Sequence, residues 1–147
     1  MKLSENFDLA QFTTSQTAIR KNIDNTPPPE VLFSLEQLCN KVLEPLLKKG
    51  FKFSINSGYR SPALNKAIGG AKDSQHTKGQ AADLNPIGLS VEDLYTEIIK
   101  SQIPFDQIIQ EFNSWVHISY KSEPRLSKLR AIKVNGKTVY TPDNKFY

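Results

Sequence analysis

A chain of 147 residues, 38% hydrophobic and 23% charged, has the size and composition of one ordinary domain with its own core, which excludes a disordered, fibrous or disulfide-stapled protein. The net charge of +4 is spread along the chain rather than gathered into an arm, so it points to no nucleic-acid partner and would equally suit another anionic polymer. The opening MKLSENFDLAQF lacks the apolar core of a secretory signal and no stretch approaches membrane-spanning length, so the chain reads as made in the cytoplasm with no membrane partner.

The stiff segment Asn25-Thr26-Pro27-Pro28-Pro29 predicts a helix that starts at the prolines with Thr26 as its cap, because prolines at the first helical positions lose no hydrogen bond. Behind it Val31, Leu35, Leu38, Val42 and Leu46 recur at helical spacing, with Leu32, Cys39 and Leu43 beside them. Cys39, the lone cysteine, reads as a small core residue and fits a reducing compartment at the site of synthesis. Pro45 is expected to kink or end this helix, and Gly50 to close the region. Phe51, Phe53 and Ile55 alternate with polar residues as in a half-buried strand.

Ser57-Gly58-Tyr59-Arg60 reads as a turn, after which Ser61 caps a short helix with Pro62 at its first position, stopped by Gly69-Gly70. Gln80 to Leu84 reads as a short strand. Ser90 with Asp93 resembles a capping box before the amphipathic run Val91, Leu94, Tyr95, Ile98, Ile99. Gln107–Glu111 and Trp115–Tyr120 read as strands joined by a tight turn at Asn113-Ser114. Arg130–Val134 and Lys137–Tyr140 form a hairpin around Asn135-Gly136. Elements in this order argue for an α+β domain with an antiparallel sheet.

The chain has only two histidines, His76 in Ser74-Gln75-His76-Thr77-Lys78-Gly79-Gln80-Ala81-Ala82-Asp83 and His117 in Trp115-Val116-His117-Ile118-Ser119. A catalytic zinc wants three protein ligands from the imidazole and carboxylate set, with a fourth position for water. His76, Asp83 and His117 can supply that set. Gly79 lets the chain turn between the first two, and Ala81 and Ala82 allow close backbone approach. Such a metal would polarise a peptide carbonyl and lower the pKa of its water to about 7. A histidine on a strand is also an ordinary structural residue and an aspartate in a loop an ordinary turn former. Residue chemistry alone leaves both readings standing.

The blocks Ser57-Gly58-Tyr59-Arg60-Ser61, Gly69-Gly70, Ser74-x-His76-x-x-Gly79-x-Ala81-x-Asp83 and Trp115-x-His117-x-Ser119 resemble the zinc D-Ala-D-Ala carboxypeptidases, peptidase family M15. That group includes D-Ala-D-Ala carboxypeptidases and dipeptidases and the L-alanyl-D-glutamate endopeptidases of phage lysins. The stretch around Phe7, Ser15 and Asn25-Thr26-Pro27-Pro28 is similar to its phage and prophage branch. The resemblance runs over residues 4 to 122; the hairpin at 128–142 lies outside it and reads as packing or a specificity accessory. It implies a hedgehog/DD-peptidase-like α+β fold, an antiparallel sheet flanked by helices, in a single domain over residues 1–147.

The resemblance also implies roles. His76, Asp83 and His117 match zinc ligands, so Zn2+ is the implied cofactor. Arg60 matches an arginine facing the substrate, able to pair with a terminal carboxylate or steady an oxyanion; read without the family it is a surface residue flanking a helix. Ser74 matches a serine near the metal, with a loop-capping hydroxyl as the plainer reading, and Gln75 lies beside it. Many members carry the acid/base carboxylate three residues before the last histidine, where this chain has Ser114. Glu111 is therefore the expected general base, with Asp106 the runner-up. Trp115 is either a core aromatic or a groove wall.

The implied activity is hydrolysis of a peptide bond in bacterial peptidoglycan stem peptides by a monomeric enzyme. Without a signal segment, reaching the wall would need lysis, another carrier or a missing leader. The alternative is a binding module of the same fold that keeps zinc but does not hydrolyse, which Ser114 keeps open. A basic nucleic-acid-binding protein is the third reading, and no recognition motif supports it.

Overall fold

The computed structural model describes residues 1–147. Two short helices open the chain, α1 (Ala10–Thr13) and α2 (Gln16–Arg20), the second capped by Ser15, whose hydroxyl accepts from the Ala18 N–H. The expected cap at Thr26 is corrected: α3 runs Pro29–Leu38, with Pro28 as its N-cap in an extended conformation and no side-chain cap. The reason is steric. Each proline bars the residue before it from helical backbone, so residues 26, 27 and 28 stay extended and only the last proline can begin the helix. Thr26 instead donates its N–H to Asp24 Oδ1, 2.9 Å away.

The Pro45 expectation is also refined. The helix neither stops nor simply kinks; it passes through a π-helical turn at Cys39–Leu43 into α4 (Glu44–Lys48), with Pro45 in the first turn of α4. The Glu44 N–H reaches back to the Cys39 carbonyl across this wider turn. One extra residue per turn moves the backbone carbonyls away from the proline ring, which would otherwise strike the carbonyl four residues back. Gly50 then ends the region in the left-handed conformation, φ +95°.

Six strands follow with two further α-helices and two 3-10 turns: β1 (Phe53–Ser57), α5 (Pro62–Ala67), a 3-10 turn at Gln75–Lys78, β2 (Ala81–Pro86), α6 (Val91–Lys100), β3 (Gln107–Glu111), β4 (Trp115–Ser119), β5 (Ser127–Val134), β6 (Lys137–Pro142) and a last 3-10 turn. Ser61 and Ser90 cap α5 and α6 as their sequences predict, accepting from Leu64 N and Asp93 N at 3.2 and 3.0 Å. The sheet order is β1-β2-β4-β3-β5-β6. An all-antiparallel sheet was expected; β3 and β5 pair in parallel, so the sheet is mixed. Residues 120–126 carry the chain from the end of β4 past β3 to its free edge, and β5 leaves in the direction of β3.

The two faces of the sheet differ. Ala82 and Leu84 of β2, Val116 and Ile118 of β4 and Ile108 of β3 join the apolar core with Leu35, Leu38, Val42, Leu94 and Ile98 of the helices. Strand alternation sends the neighbouring residues to the opposite face: Asp83, His117, Ile109, Glu111 and Trp115. The helical core thus supports the sheet from behind, and the other face is left to carry chemistry.

Candidate metal centre

Asp83 and His117 are direct cross-strand partners on β2 and β4, two strands in the interior of the sheet. The third member arrives from the 3-10 turn. Ser74 caps that turn by accepting from the His76 N–H at 3.2 Å, and Gly79 ends it at φ +70°. A side chain at Gly79 would be strained in backbone and crowded in space, since a Cβ there would lie 2.7 Å from both Val31 Cγ1 and the Val31 carbonyl oxygen.

The three side chains converge. Asp83 Oδ1 lies 3.2 Å from His76 Nε2 and 3.2 Å from His117 Nδ1, and the three ligand atoms fall within 4.8 Å of one another. All three residues are buried, between 3% and 8% exposed. His76 Nδ1 sits 2.7 Å from the Gly58 carbonyl, which can only accept, so that nitrogen carries the proton. With that proton in place, Nε2 meets the Asp83 carboxylate either as the second N–H of an imidazolium or as a bare lone pair. Two lone pairs facing each other in a buried site repel unless a proton or a cation lies between them, and two imidazoles with one carboxylate are the donor set that zinc accepts. The residues present fit a metal ion. Burial pushes the Asp83 carboxyl up, but the charges and hydrogen bonds of His76 and His117 outweigh it and hold Asp83 well below the usual carboxylate range.

Glu111 is brought to the same place by the β3–β4 hairpin. The turn was expected at Asn113-Ser114; it is centred one residue earlier, with Phe112 and Asn113 at φ +56° and +53° and the Ser114 N–H bonded to the Glu111 carbonyl at 2.8 Å. This pairs Glu111 with Trp115 and places Glu111 Oε1 3.8 Å from His117 Nδ1. Burial raises the Glu111 pKa; His117 lowers it, Asp83 raises it further and Arg60 lowers it, with a net upward shift.

Asp106, the alternative acid, is engaged elsewhere. It accepts from the Arg125 backbone N–H and from both Nε and Nη2 of the Arg125 guanidinium at 2.8–3.1 Å, and from Gln75 Nε2 at 2.8 Å. Burial pushes its carboxyl up, and these four donors overcome burial and bring it down to about 2. Gln75 therefore points at Asp106, leaving its Oε1 buried without a partner. Arg60 donates from Nη2 to Ser74 Oγ at 3.4 Å while its Nε is buried unpartnered. Burial lowers the Arg60 pKa against the pull of Asp83 and Glu111. The Trp115 ring packs edge-on against Phe112, centroids 5.8 Å apart, with its indole N–H buried and unpaired.

A cleft of about 760 Å³ opens over this floor, and every site residue anticipated from the sequence lines it: Arg60, Ser74, Gln75, His76, Asp83, Glu111, Trp115 and His117. Lys121, Arg125, Leu129 and Tyr140 also line it and were missed. The last two come from the terminal hairpin, and a strand pattern on its own does not tell which outer strand will face a cleft.

Two imidazoles and a carboxylate on the floor of a cleft, with a second carboxylate beside them, define a candidate metallohydrolase centre. The family model of Peptidase M15 matches residues 5–119, so the chain belongs to the peptidase M15 family, whose members are metallopeptidases and generally zinc-dependent. No curated protein matches the chain. No helix is long and apolar enough to cross a membrane.

Proposed function

We propose that this protein is a zinc-dependent peptidase that hydrolyses a peptide bond in bacterial peptidoglycan stem peptides, of the D-Ala-D-Ala carboxypeptidase or L-Ala-D-Glu endopeptidase type. The observation that carries the reading is the buried convergence of His76 Nε2, Asp83 Oδ1 and His117 Nδ1 within 4.8 Å in a chain of this family. In this reading residues 1–147 form one monomeric domain of hedgehog/DD-peptidase-like fold that acts on the bacterial cell wall.

His76, Asp83 and His117 hold the ion, with the Gly58 carbonyl fixing the tautomer and orientation of His76. Zinc, when bound, supplies a Lewis acid for the scissile carbonyl and acidifies water. Glu111 takes a proton from the attacking water and returns it to the nitrogen of the broken peptide bond. Its raised pKa suits both halves of that transfer. Arg60 presents a half-buried cation to the negative charge that develops on the carbonyl oxygen or to a terminal carboxylate of the peptide. Ser74 and Gln75 shape the adjoining wall and Trp115 gives it an aromatic face. A carboxylate 3.8 Å from His117 supports hydrolysis over a binding-only role, since Glu111 puts an acid beside the cluster although position 114 is a serine.

The test is mass spectrometry of products from defined muropeptides, with and without a chelator, for the native chain and the variants His76→Ala and Glu111→Ala. Release of a terminal D-Ala or of a stem fragment, abolished by chelator and by His76→Ala, is expected. Undiminished release from either variant would overturn its role.

A further inference from the structure

The family match ends at residue 119, yet the sheet does not. β5 continues it from β3 and β6 continues it from β5, so the face that carries the metal cluster extends onto the hairpin. Along one row of partners, Trp115 on β4 faces Glu111 on β3, Glu111 faces Ala131 on β5, and Ala131 faces Tyr140 on β6. Partners in a row share a face of the sheet. Ala131 is 1% exposed, and its single methyl leaves a gap in that row between Glu111 and Tyr140. A phenol on the outer strand can lean inward across such a gap, and Tyr140 does line the cleft with Arg60 and Glu111.

The hairpin is held rather than loose. Arg130 donates from Nη1 and Nη2 to both oxygens of Glu92 on α6 at 2.8 and 2.7 Å and from Nε to Asp143 at 2.8 Å, and Asp143 also accepts from the Tyr95 hydroxyl at 3.0 Å. The ring of Tyr140 therefore sits on a strand anchored on both sides, while 53% of the residue stays open to an incoming molecule.

We propose that the β5–β6 hairpin forms the far wall of the substrate cleft and that Tyr140 is a substrate-contacting residue, its hydroxyl donating a hydrogen bond to a carbonyl or carboxylate oxygen of the bound peptide. Burial, with the negative charges of Glu111 and Asp83, raises the Tyr140 pKa against the pull of Arg60, so the phenol keeps its proton and remains a donor at neutral pH. With strands about 4.8 Å apart, β6 lies about 14 Å from β4, the length of roughly four extended residues. That spacing is between backbones; the Tyr140 side chain reaches from β6 into the same cleft as Arg60 and Glu111, where it contributes to binding the peptide while Glu111 carries the proton transfer.

The inference rests on the peptidase reading above, and the experiment separates the two. Turnover of a defined stem pentapeptide is measured for the native chain, Tyr140→Phe and Tyr140→Ala, and binding of the same peptide is measured by calorimetry in each with Glu111→Gln added. Loss of one neutral hydrogen bond should raise KM and Kd about fivefold in Tyr140→Phe, and further in Tyr140→Ala, with kcat within about twofold. Native KM and Kd in both variants would overturn the inference and leave the peptidase reading intact. Binding that weakens in the Tyr140 variants of a chain that never turns the peptide over would uphold the inference and overturn the hydrolytic reading. Absence of both binding and turnover in the native chain would overturn both.

Discussion

Asp106 and Glu111 are two carboxylates at the ends of one strand and its lead-in, and their surroundings divide them. Four donors surround Asp106 and none of the hydrogen bonds found in the structure reaches the Glu111 carboxyl, so the first is held ionised for structure and the second is left free to exchange a proton. Replacing Glu111 with Gln should lower kcat by about 10² to 10⁴ while the circular dichroism spectrum stays native; a fall under tenfold would remove it from the chemistry. Asp106→Asn should destabilise the fold by about 2 kcal/mol at neutral pH. Because its folded pKa is depressed to about 2, that contribution is present above the unfolded value near 4 and disappears as pH falls towards 2. Urea midpoints for both proteins between pH 7 and 2 should converge at the acid end. Sequence spacing pointed to Glu111 through the family pattern, but it could not show that Arg125, nineteen residues on, closes over Asp106. Long-range ion pairs leave no periodic trace.

The elements were most legible where local chemistry decides them. Ser61-Pro62, Ser90 and Asn135-Gly136 encode caps and a hairpin in two or three residues, and each formed as expected, the last with Asn135 and Gly136 both at positive φ. They were least legible where competition decides them: three prolines in a row mask which one starts the helix, and Pro45 is accommodated by widening a turn rather than ending it. The parallel pairing of β5 with β3 depends on where residues 120–126 cross, which no strand pattern records. At this scale Gly79 is the sharpest test. Gly79→Ala must adopt φ +70° and press its methyl against the Val31 carbonyl, so a loss above 1 kcal/mol in denaturant stability is expected, with weakened metal binding because the turn bearing His76 shifts. Stability equal to the native chain would show that the turn relaxes freely.

Across the whole molecule, the atoms proposed to bind the ion come from three stretches that meet only when β2 and β4 pair and the Gln75–Lys78 turn docks. Anything that binds the folded form alone stabilises it, by about 2.7 kcal/mol at a hundredfold excess over Kd. For a chain of this length that corresponds to a rise in Tm of about 5–10 °C on adding zinc. The rise should vanish in His117→Ala, and an equal rise in that variant would place zinc somewhere else. His76 and His117 stood out in the sequence because the chain has only two histidines, and Asp83 through the motif block it shares with His76. The far wall of the cleft did not, because it is assembled by sheet order.

Asp83 and His117 lie on strands with neighbours on both sides, whereas β6 has an open edge. Fraying starts at the open edge of β6 without disturbing the floor, and the floor itself opens only when the interior of the sheet separates. Amide protons of residues 137–142 should therefore exchange long before those of Asp83 and His117. An ion held on that floor would leave as the protein melts, in a single thermal event, so an intact apoprotein would have to be made with a chelator, at a temperature where the sheet still holds.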